Sequence, residues 1–402
     1  MNVYLEYLGC RLNAAEVDSL ARQFAAAGCV VTDTPADADV IVLNTCAVTA
    51  QAVRKSRHRL RALHRLRPQA RLAVVGCWAT EDVAHAAALP GVTWVIPNTD
   101  KARAVEIIIG VDAAPVAWLP GRWGHTRAFL AVQDGCDHAC TYCITRVLRG
   151  PAHSRSLDDA VQAARDLVVH GAQEIVLTGV SLGAYGHDLG MAHGLAALVD
   201  AILQRTDVPR LRLSSVEPWD VNDPLLRLWE SPRLCRQLHV PLQSGSDTVL
   251  KRMGRRINTA QFTALVDAAR AVSPHIAITT DVIVGFPGET EADFVESLDF
   301  VAQMAFARLH VFPYSERPGT PAVRLPGAVP AAIRTERATR MRALGEQLAA
   351  EYRLKFIGQI LPVLWEQQDE AGNWRGLTDN YLEVTTQSER DLYNRITLAK
   401  VL

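Results

Sequence analysis

Predicted strands and helices alternate along most of the chain, and this alternation limits the folds that it can adopt. Short apolar segments typical of buried strands are separated by longer amphipathic segments typical of helices. Successive parallel strands need a crossover connection of about a dozen residues or more, usually a helix. We therefore expect an α/β protein built on parallel sheets. In the first series, a predicted N-terminal α/β domain of residues 1–112, the strands are Val3–Leu8, Val40–Leu43, Leu72–Val75 and Val92–Ile96.

A second series of predicted strands follows a linker at residues 113–125, where Pro115 and Pro120 interrupt regular structure. Its six strands fall within residues 126–344, at Ala128–Val132, Glu174–Leu177, Arg210–Ser214, Gln237–Val240, Ile278–Val284 and Arg308–Val311. Six strand–helix units predict a parallel sheet curved into a partial (β/α)6 barrel, with its active site at the carboxyl ends of the strands. A long helix at Pro330–Ile357 leads into short alternating segments, which include Tyr381–Thr385. Residues 345–402 are therefore predicted to end in a small β-barrel.

Three cysteines with the spacing CxxxCxxC follow the first strand of the second series: Cys136, Cys140 and Cys143. Three thiolates on one loop can bind three irons of a [4Fe–4S] cluster, and the fourth iron then lacks a protein ligand. An open iron at the carboxyl end of a strand suits a reaction site better than a simple electron store. A zinc ion is the alternative, but zinc prefers four closed ligands, and the fourth would have to be His138 or a distant residue.

Three further cysteines lie far apart in sequence, but each follows a predicted strand: Cys10, Cys46 and Cys77. Because parallel strands point the same way, residues just past three strand ends come to one edge of the sheet. This placement predicts a second site of three thiolates, again with one open iron. Three separate buried cysteines are the alternative. Cys29 and Cys235 fit neither set, and Cys29 is predicted to be a core residue.

At these residues the sequence resembles the methylthiotransferases of the radical S-adenosylmethionine (SAM) superfamily. The resemblance covers nearly the whole chain and includes residues 8–13, 44–49, 76–77, 133–143 and 149–150. It implies an N-terminal α/β domain, a radical SAM partial barrel and a C-terminal TRAM domain. This order agrees with the three parts inferred above from the pattern of strands and helices.

Three segments are similar to the branch of this family that acts on N6-threonylcarbamoyladenosine in tRNA: residues 55–57, 177–186 and 213–218. The resemblance therefore implies addition of a methylthio group to C2 of that nucleoside at position 37 of tRNA. The sequence departs from the branch at Arg11-Leu12 and at Thr145–Val147, which affects the expectation for the substrate and not for the chemistry. Isopentenyladenosine in tRNA and an aspartate of a ribosomal protein are the alternative substrates.

The resemblance also implies two [4Fe–4S] clusters and SAM as cofactors. SAM is expected to bind at the cluster of Cys136, Cys140 and Cys143, where one electron from a reductant such as flavodoxin or ferredoxin cleaves it. Sulfur is expected to reach the adenine from the cluster of Cys10, Cys46 and Cys77, which needs a sulfur donor. Residues on the cysteine loop and after successive strands are predicted to build the SAM pocket: Tyr142, Gly179, Ser215, Glu217, Gln243 and Ser244.

The formal net charge of the chain is −1, so any surface that binds a nucleic acid has to be local. A basic run on a predicted helix is expected to contact tRNA phosphates through Arg54, Lys55, Arg57, Arg61 and Arg65. A second basic cluster near the barrel mouth consists of Lys251, Arg252 and Arg255. The alternative for the helical run is an ordinary solvated helix face.

No apolar run approaches the roughly 20 residues that span a bilayer, and the N-terminus does not resemble a signal peptide. We therefore expect a cytoplasmic protein with no membrane partner. Two other classes of function stay open from the residues alone. One is a two-cluster electron carrier that does not bind SAM, and the other is a zinc-bearing RNA-binding module.

Overall fold

The computed structural model describes residues 1–121 and 125–402. Within the predicted linker, residues 122–124 therefore lie outside the described residues, while residues 113–119 contain neither helix nor strand. In the described part of the chain, no helix combines the length and the apolar character needed to cross a membrane.

A five-stranded parallel sheet forms the N-terminal part of the fold, with the strand order β2-β1-β3-β4-β5. The strands are β1 (Asn2–Tyr7), β2 (Val30–Val31), β3 (Val40–Thr45), β4 (Arg71–Gly76) and β5 (Val92–Ile96). The helices are α1 (Arg11–Ala26), α2 (Ala50–Leu66), α3 (Cys77–Glu81), α4 (Val83–Ala87) and α5 (Ala104–Ile109). Side chains of β3 alternate between two cores: Leu43 shares one with Leu60 of α2, and Val42 shares the other with Phe24 of α1. The parallel α/β sheet predicted for this part of the chain is confirmed.

Six parallel strands form the central part of the fold, in the order β6-β9-β10-β11-β12-β13. Two hydrogen-bonded sheets of three strands are joined by single parallel bridges, one of them between Ser215 and His239. The strands are β6 (Ala128–Ala131), β9 (Glu174–Thr178), β10 (Arg210–Leu213), β11 (Gln237–His239), β12 (Ala277–Val284) and β13 (Arg308–Pro313), with a small antiparallel pair of β7 (Gln133–Asp134) and β8 (His153–Ser154). The helices are α6 (Thr145–Arg149), α7 (Leu157–Val169), α8 (Gly194–Arg205), α9 (Asp223–Arg227), α10 (Asp247–Arg252), α11 (Thr259–Val272) and α12 (Glu291–Met304). The predicted partial barrel is confirmed.

The C-terminal part consists of one long helix and a curled antiparallel sheet with the order β16-β15-β14-β17. Its elements are α13 (Ala331–Leu354), β14 (Ile360–Gln368), β15 (Asn373–Thr378), β16 (Glu383–Gln387) and β17 (Ile396–Lys400). The edge strands β16 and β17 approach each other but are not paired by a ladder of hydrogen bonds, so the small β-barrel that we predicted is open on one side, a half-barrel. The strand predicted at Tyr381–Thr385 begins only at Glu383, because Tyr381 lies in a turn with a φ of 69°.

The C-terminal sheet contacts the barrel through buried charges at the amino ends of the barrel strands. Glu174, the first residue of β9, is fully buried and lies 2.6 Å from the guanidinium of Arg212. Burial alone would raise the pKa of Glu174, but Arg212, Arg127 and Arg210 outweigh it and lower the pKa to about 2. Arg212 also donates to the carbonyl oxygen of Asp379, in the turn between β15 and β16. The C-terminal sheet therefore covers the amino end of the barrel.

Candidate active site

The first cysteine triad consists of Cys136, Cys140 and Cys143, which are all partly exposed. It lies on the loop between β7 and α6, at the carboxyl end of β6. Gln133 fixes the start of this loop, since its amide nitrogen donates to the carbonyl oxygen of Gly135 at 2.9 Å. The amide oxygen of Gln133 accepts from the backbone nitrogen of Ser181, which follows β9, at 2.8 Å. One side chain thus ties the cysteine loop to the neighbouring strand.

The second cysteine triad consists of Cys10, Cys46 and Cys77. Its members follow β1, β3 and β4, which are adjacent in the N-terminal sheet, so the three thiols lie at the same edge. Gly9 has a φ of 105°, and a Cβ placed there would come within 2.9 Å of the Cys46 sulfur. The backbone at Gly9 can therefore approach Cys46 only because it carries no side chain.

In each triad, one thiol has its pKa raised in part by its two neighbours. Burial raises the pKa of Cys46 to about 11, and the other two thiols of its triad raise it further. Burial likewise raises the pKa of Cys136 to about 11, again with a contribution from the other two thiols of its triad. Three neighbouring thiolates would repel one another, whereas a bound metal centre stabilises the deprotonated form. Both triads therefore have the chemistry of metal ligands.

The spacing of the sulfur atoms argues against a single zinc ion. In a tetrahedral site with Zn–S distances of about 2.3 Å, neighbouring sulfurs lie about 3.8 Å apart. Among the described residues, neither triad brings its three sulfurs within 4.8 Å of one another. A cluster with several irons, each bound by one thiolate, accommodates this wider spacing.

Arg149, in α6, connects the two triads. Its side chain is only 2% exposed, and its guanidinium donates to Asn13 of α1 at 2.9 Å and to Glu16 of α1 at 3.0 Å. The same guanidinium donates at 2.9 Å to Asp134, on the loop of the first triad. Asn13 in turn lies 3.6 Å from the sulfur of Cys10. A continuous set of contacts therefore runs from the second triad to the first.

The six residues predicted to line a SAM pocket all lie at the carboxyl end of the barrel. Tyr142 is on the cysteine loop, and the others follow β9, β10 and β11. Glu217 accepts from the guanidinium of Arg255 at 2.7 Å, and that guanidinium also lies 3.8 Å from the sulfur of Cys140. Gln243 has a φ of 76°, an uncommon conformation for a side chain of this size that concentrates at functional sites. Ser244 is buried and Ser215 is half-buried.

Packing inside the protein accounts for a glycine at position 179, just after β9. A Cβ at Gly179 would come within 2.8 Å of the Gln133 amide oxygen, so packing inside the protein already requires a glycine.

The predicted RNA-binding residues fall into two groups. On α2, Arg54, Lys55, Arg61 and Arg65 are exposed and Arg57 is partly exposed; Lys251 and Arg252 of α10 are also exposed. The prediction that Arg255 contacts RNA has to be corrected. Its guanidinium is buried in the ion pair with Glu217 and is not accessible to RNA. Its sequence neighbours are on the surface, which explains why the run of basic residues misled the prediction.

Comparison with known proteins identifies the family. Residues 130–301 match the family model described as the Radical SAM superfamily, and residues 2–96 match that of the uncharacterized protein family UPF0004. A relative from Bacillus subtilis, the threonylcarbamoyladenosine tRNA methylthiotransferase MtaB, is 36% identical over 98% of this chain and 92% of its own length. The chain belongs to the radical SAM tRNA methylthiotransferases. The protein of the same name from Thermotoga maritima is 37% identical over 95% of this chain and 90% of its own length.

A second group of relatives in the same family carries a different name. The tRNA-2-methylthio-N(6)-dimethylallyladenosine synthase of Parafrankia sp. is 37% identical over 85% of this chain and 73% of its own length. Among solved structures, the radical SAM methyltransferase TsrM from Kitasatospora setae, with cobalamin and a [4Fe–4S] cluster bound, has a TM-score of 0.58 at 16% identity, covering 80% of this chain and 73% of its own. That likeness concerns the fold alone. The sequence predicted a transferase with SAM and iron–sulfur clusters as cofactors. This enzyme class and these cofactors are those of the family to which the chain belongs.

Replacing Arg149 with lysine should partly uncouple the two halves of the reaction in this radical SAM methylthiotransferase. Lysine keeps the charge but cannot donate to Asn13, Glu16 and Asp134 together, because it lacks the planar fork of a guanidinium. We expect the yield of methylthiolated product per SAM cleaved to fall about tenfold, the cost of one charge-assisted hydrogen bond. The ratio of product to 5′-deoxyadenosine measures this yield. A variant that lowers both products in equal proportion would show that Arg149 only stabilises the fold.

Proposed function

We propose that the chain adds a methylthio group to C2 of N6-threonylcarbamoyladenosine at position 37 of tRNA. The observation that carries this proposal is the connection of two three-thiol sites through Arg149, in a chain that is similar along nearly its whole length to enzymes named for this substrate. Residues 177–186 and 213–218, which resemble the threonylcarbamoyladenosine branch, follow β9 and β10 beside the first triad. This position supports a role for them near the reacting groups.

Each triad is proposed to hold one [4Fe–4S] cluster, with Cys136, Cys140 and Cys143 as ligands of one and Cys10, Cys46 and Cys77 as ligands of the other. When bound, these clusters and SAM supply the electron, the carbon radical, the sulfur and the methyl group that the reaction needs. The chain's own residues hold and orient the reactants. The Gln133 side chain fixes the loop of the first triad, and Arg149 keeps that loop against the second triad.

The SAM pocket is proposed at the mouth of the barrel, beside the first triad. The ring of Tyr142 packs edge-on against Phe286, with the ring centroids 6.4 Å apart, and we assign its other side to the adenine of SAM. The remaining assignments to the pocket are Gly179, Ser215, Gln243 and Ser244. Glu217 is assigned a positioning role, because Arg255 already occupies its carboxylate.

The other partners follow from the proposed reaction. The exposed cations of α2 and of α10 are proposed to contact the tRNA, and the phosphate contacts among them give an affinity that falls with salt. A one-electron reductant such as flavodoxin or ferredoxin and a separate sulfur donor are proposed as further partners. Because the proposed substrate is tRNA, we also propose that the protein acts in the cytoplasm.

Mass spectrometry of tRNA nucleosides tests this proposal. Deleting the gene should remove 2-methylthio-N6-threonylcarbamoyladenosine from bulk tRNA and leave its unmethylthiolated precursor in its place. Reintroducing the gene should restore the product, and this complemented strain is the control. If deletion left that nucleoside unchanged, the proposed substrate would be wrong.

The second candidate substrate is the dimethylallyladenosine of tRNA. The relative from Parafrankia sp., which is 37% identical, is named for this nucleoside. The same nucleoside profile separates the two. Loss of the methylthiolated dimethylallyl nucleoside alone would identify this second substrate.

A further inference from the structure

A large cavity of about 840 Å³ lies beside the second cysteine triad, between α2 and the end of β13. Its wall includes Gly9 and Cys46, so the cavity reaches one of the thiols of that triad. The two sides of the cavity are joined by a hydrogen bond of 3.0 Å from the backbone nitrogen of Ala50 to the hydroxyl of Ser315. A volume of this size lies within the range of roughly 300–1,000 Å³ found for small-molecule sites.

One aromatic ring is exposed in this cavity. Phe312, near the end of β13, is 41% exposed although it is a large apolar side chain, and it lines the cavity wall. Its neighbour Tyr314 is buried and packs against Phe286 at a centroid distance of 5.2 Å. An exposed phenyl ring offers a flat face on which a base taken out of an RNA strand can stack.

The cavity also carries positive charge. Arg54 and Lys55 of α2 line its wall and are exposed. Arg59, one turn further along the helix, is bound by Glu6 at 2.7 Å, whereas neither Arg54 nor Lys55 forms a salt bridge within the described part of the chain. Glu316 is the one carboxylate in the wall, and it lies 3.7 Å from Arg334. Two cations therefore face the cavity without a carboxylate of their own.

We propose that this cavity holds the target nucleoside, with Phe312 stacked on its base and Arg54 and Lys55 paired with the carboxylate of its N6 substituent. The inference rests on the proposed function, because it places C2 of the adenine near Cys46. C2 and the N6 substituent belong to one base, so a site that holds C2 beside Cys46 must also accommodate that substituent close by. Cations at this place select a nucleoside whose N6 group is anionic over one whose N6 group is an apolar alkyl chain.

The position of these two cations on α2 argues for the carboxylate over a backbone phosphate. Arg61 and Arg65 lie about 10 and 16 Å further along the helix than Arg54 at a rise of about 1.5 Å per residue, and neither lines the cavity. Arg61 and Arg65 are placed to follow the RNA strand outside the cavity, where its phosphates remain when a base is turned inward. The basic run of α2 therefore divides into a part for the nucleoside and a part for the RNA backbone.

Two anticodon stem–loop RNAs test this division. One carries N6-threonylcarbamoyladenosine at position 37, and the other carries the same nucleoside with its carboxylate converted to a neutral amide. We expect Arg54→Gln and Lys55→Gln each to lower kcat/KM about tenfold on the first RNA, the effect of one lost charge-assisted hydrogen bond, and to change the second little. The matched control Arg61→Gln, on the same helix outside the cavity, should lower kcat/KM on both RNAs by the same factor.

Equal losses on the two RNAs for Arg54→Gln and Lys55→Gln would overturn the inference, and so would no loss on either. Phe312 provides an independent measurement: Phe312→Ala should lower kcat/KM on both RNAs about tenfold, and Phe312→Tyr should restore it. All of these side chains are exposed, and the iron content of each variant checks that the protein is intact. If the wild-type enzyme itself failed to modify the first RNA, the proposed function would be wrong, which is a different outcome from a loss of charge selectivity.

Discussion

The Cys140→Ala variant should lose both SAM cleavage and methylthiolation. Cys140 is the middle member of the first triad, on a loop that Gln133 and Arg149 already hold in place. Alanine leaves two thiolates where three are proposed to hold the cluster, and this cluster would supply the electron for SAM cleavage, on which methylthiolation also depends. Loss of an outer-shell partner of a metal typically costs about 10–100-fold, so loss of the ligand itself should cost more than that. Chromatography of 5′-deoxyadenosine and of the modified RNA measures the two activities.

The control for this experiment is Cys29→Ala. Cys29 is half-buried beside the N-terminal sheet and belongs to neither triad, so its removal should change neither activity. The iron content adds a second measurement, because the Cys140→Ala protein should keep the iron of the second triad. Normal 5′-deoxyadenosine formation in Cys140→Ala would contradict the assignment of the first triad.

Much of the fold follows from local patterns in the sequence. The helices α7 and α12 begin where local sequence signals indicate, because the side chains of Ser156 and Thr290 accept hydrogen bonds from backbone nitrogens of the first turn. The helix α2 likewise begins at Ala50, since the side chain of Thr49 accepts from the backbone nitrogen of Ala52 in the first turn. The half-barrel at the C-terminus could not be predicted in the same way, because closure depends on how far the edge strands curl toward each other.

The convergence of the cysteines was predictable, but the residues that connect the two triads were not. Parallel strands bring Cys10, Cys46 and Cys77 to one edge because adjacent strands end together, and this requires only the strand pattern. Arg149 reaches Asn13 across 136 positions of sequence, and no local pattern in the sequence indicates this contact. Prediction from sequence therefore brought the cysteines of the second triad to one sheet edge and missed the residues that connect the two triads.

The C-terminal sheet illustrates the same limit. Its turn carries Asp379, whose carbonyl oxygen accepts from Arg212 and whose carboxylate pairs with Arg236 at 2.6 Å. Burial would raise the pKa of Asp379, but Arg236 lowers it below its usual value. These contacts place a carboxylate and a carbonyl oxygen of the sheet against arginines of the barrel that are distant in sequence, so no local pattern indicates them.

Replacing Cys46 with alanine should separate the two halves of the reaction. Cys46 belongs to the second triad, and its sulfur lies against Gly9, at the wall of the cavity that we assign to the nucleoside. The first triad keeps all three thiols in this variant, so reduced enzyme should still cleave SAM to 5′-deoxyadenosine. Methylthiolated RNA should fall below detection, a loss greater than the roughly 10–100-fold that an outer-shell partner costs, because sulfur no longer reaches the adenine.

The ratio of the two products distinguishes this result from general damage to the protein. Cys46 is 6% exposed, and alanine at this buried position removes one sulfur and keeps the Cβ that lies against Gly9. Cys46→Ala should therefore keep the iron of the first triad and lose that of the second, whereas Cys140→Ala should show the reverse pattern. Together the two variants assign each iron centre to one half of the chemistry. Methylthiolation at the wild-type rate in Cys46→Ala would mean that the second triad is not the source of sulfur.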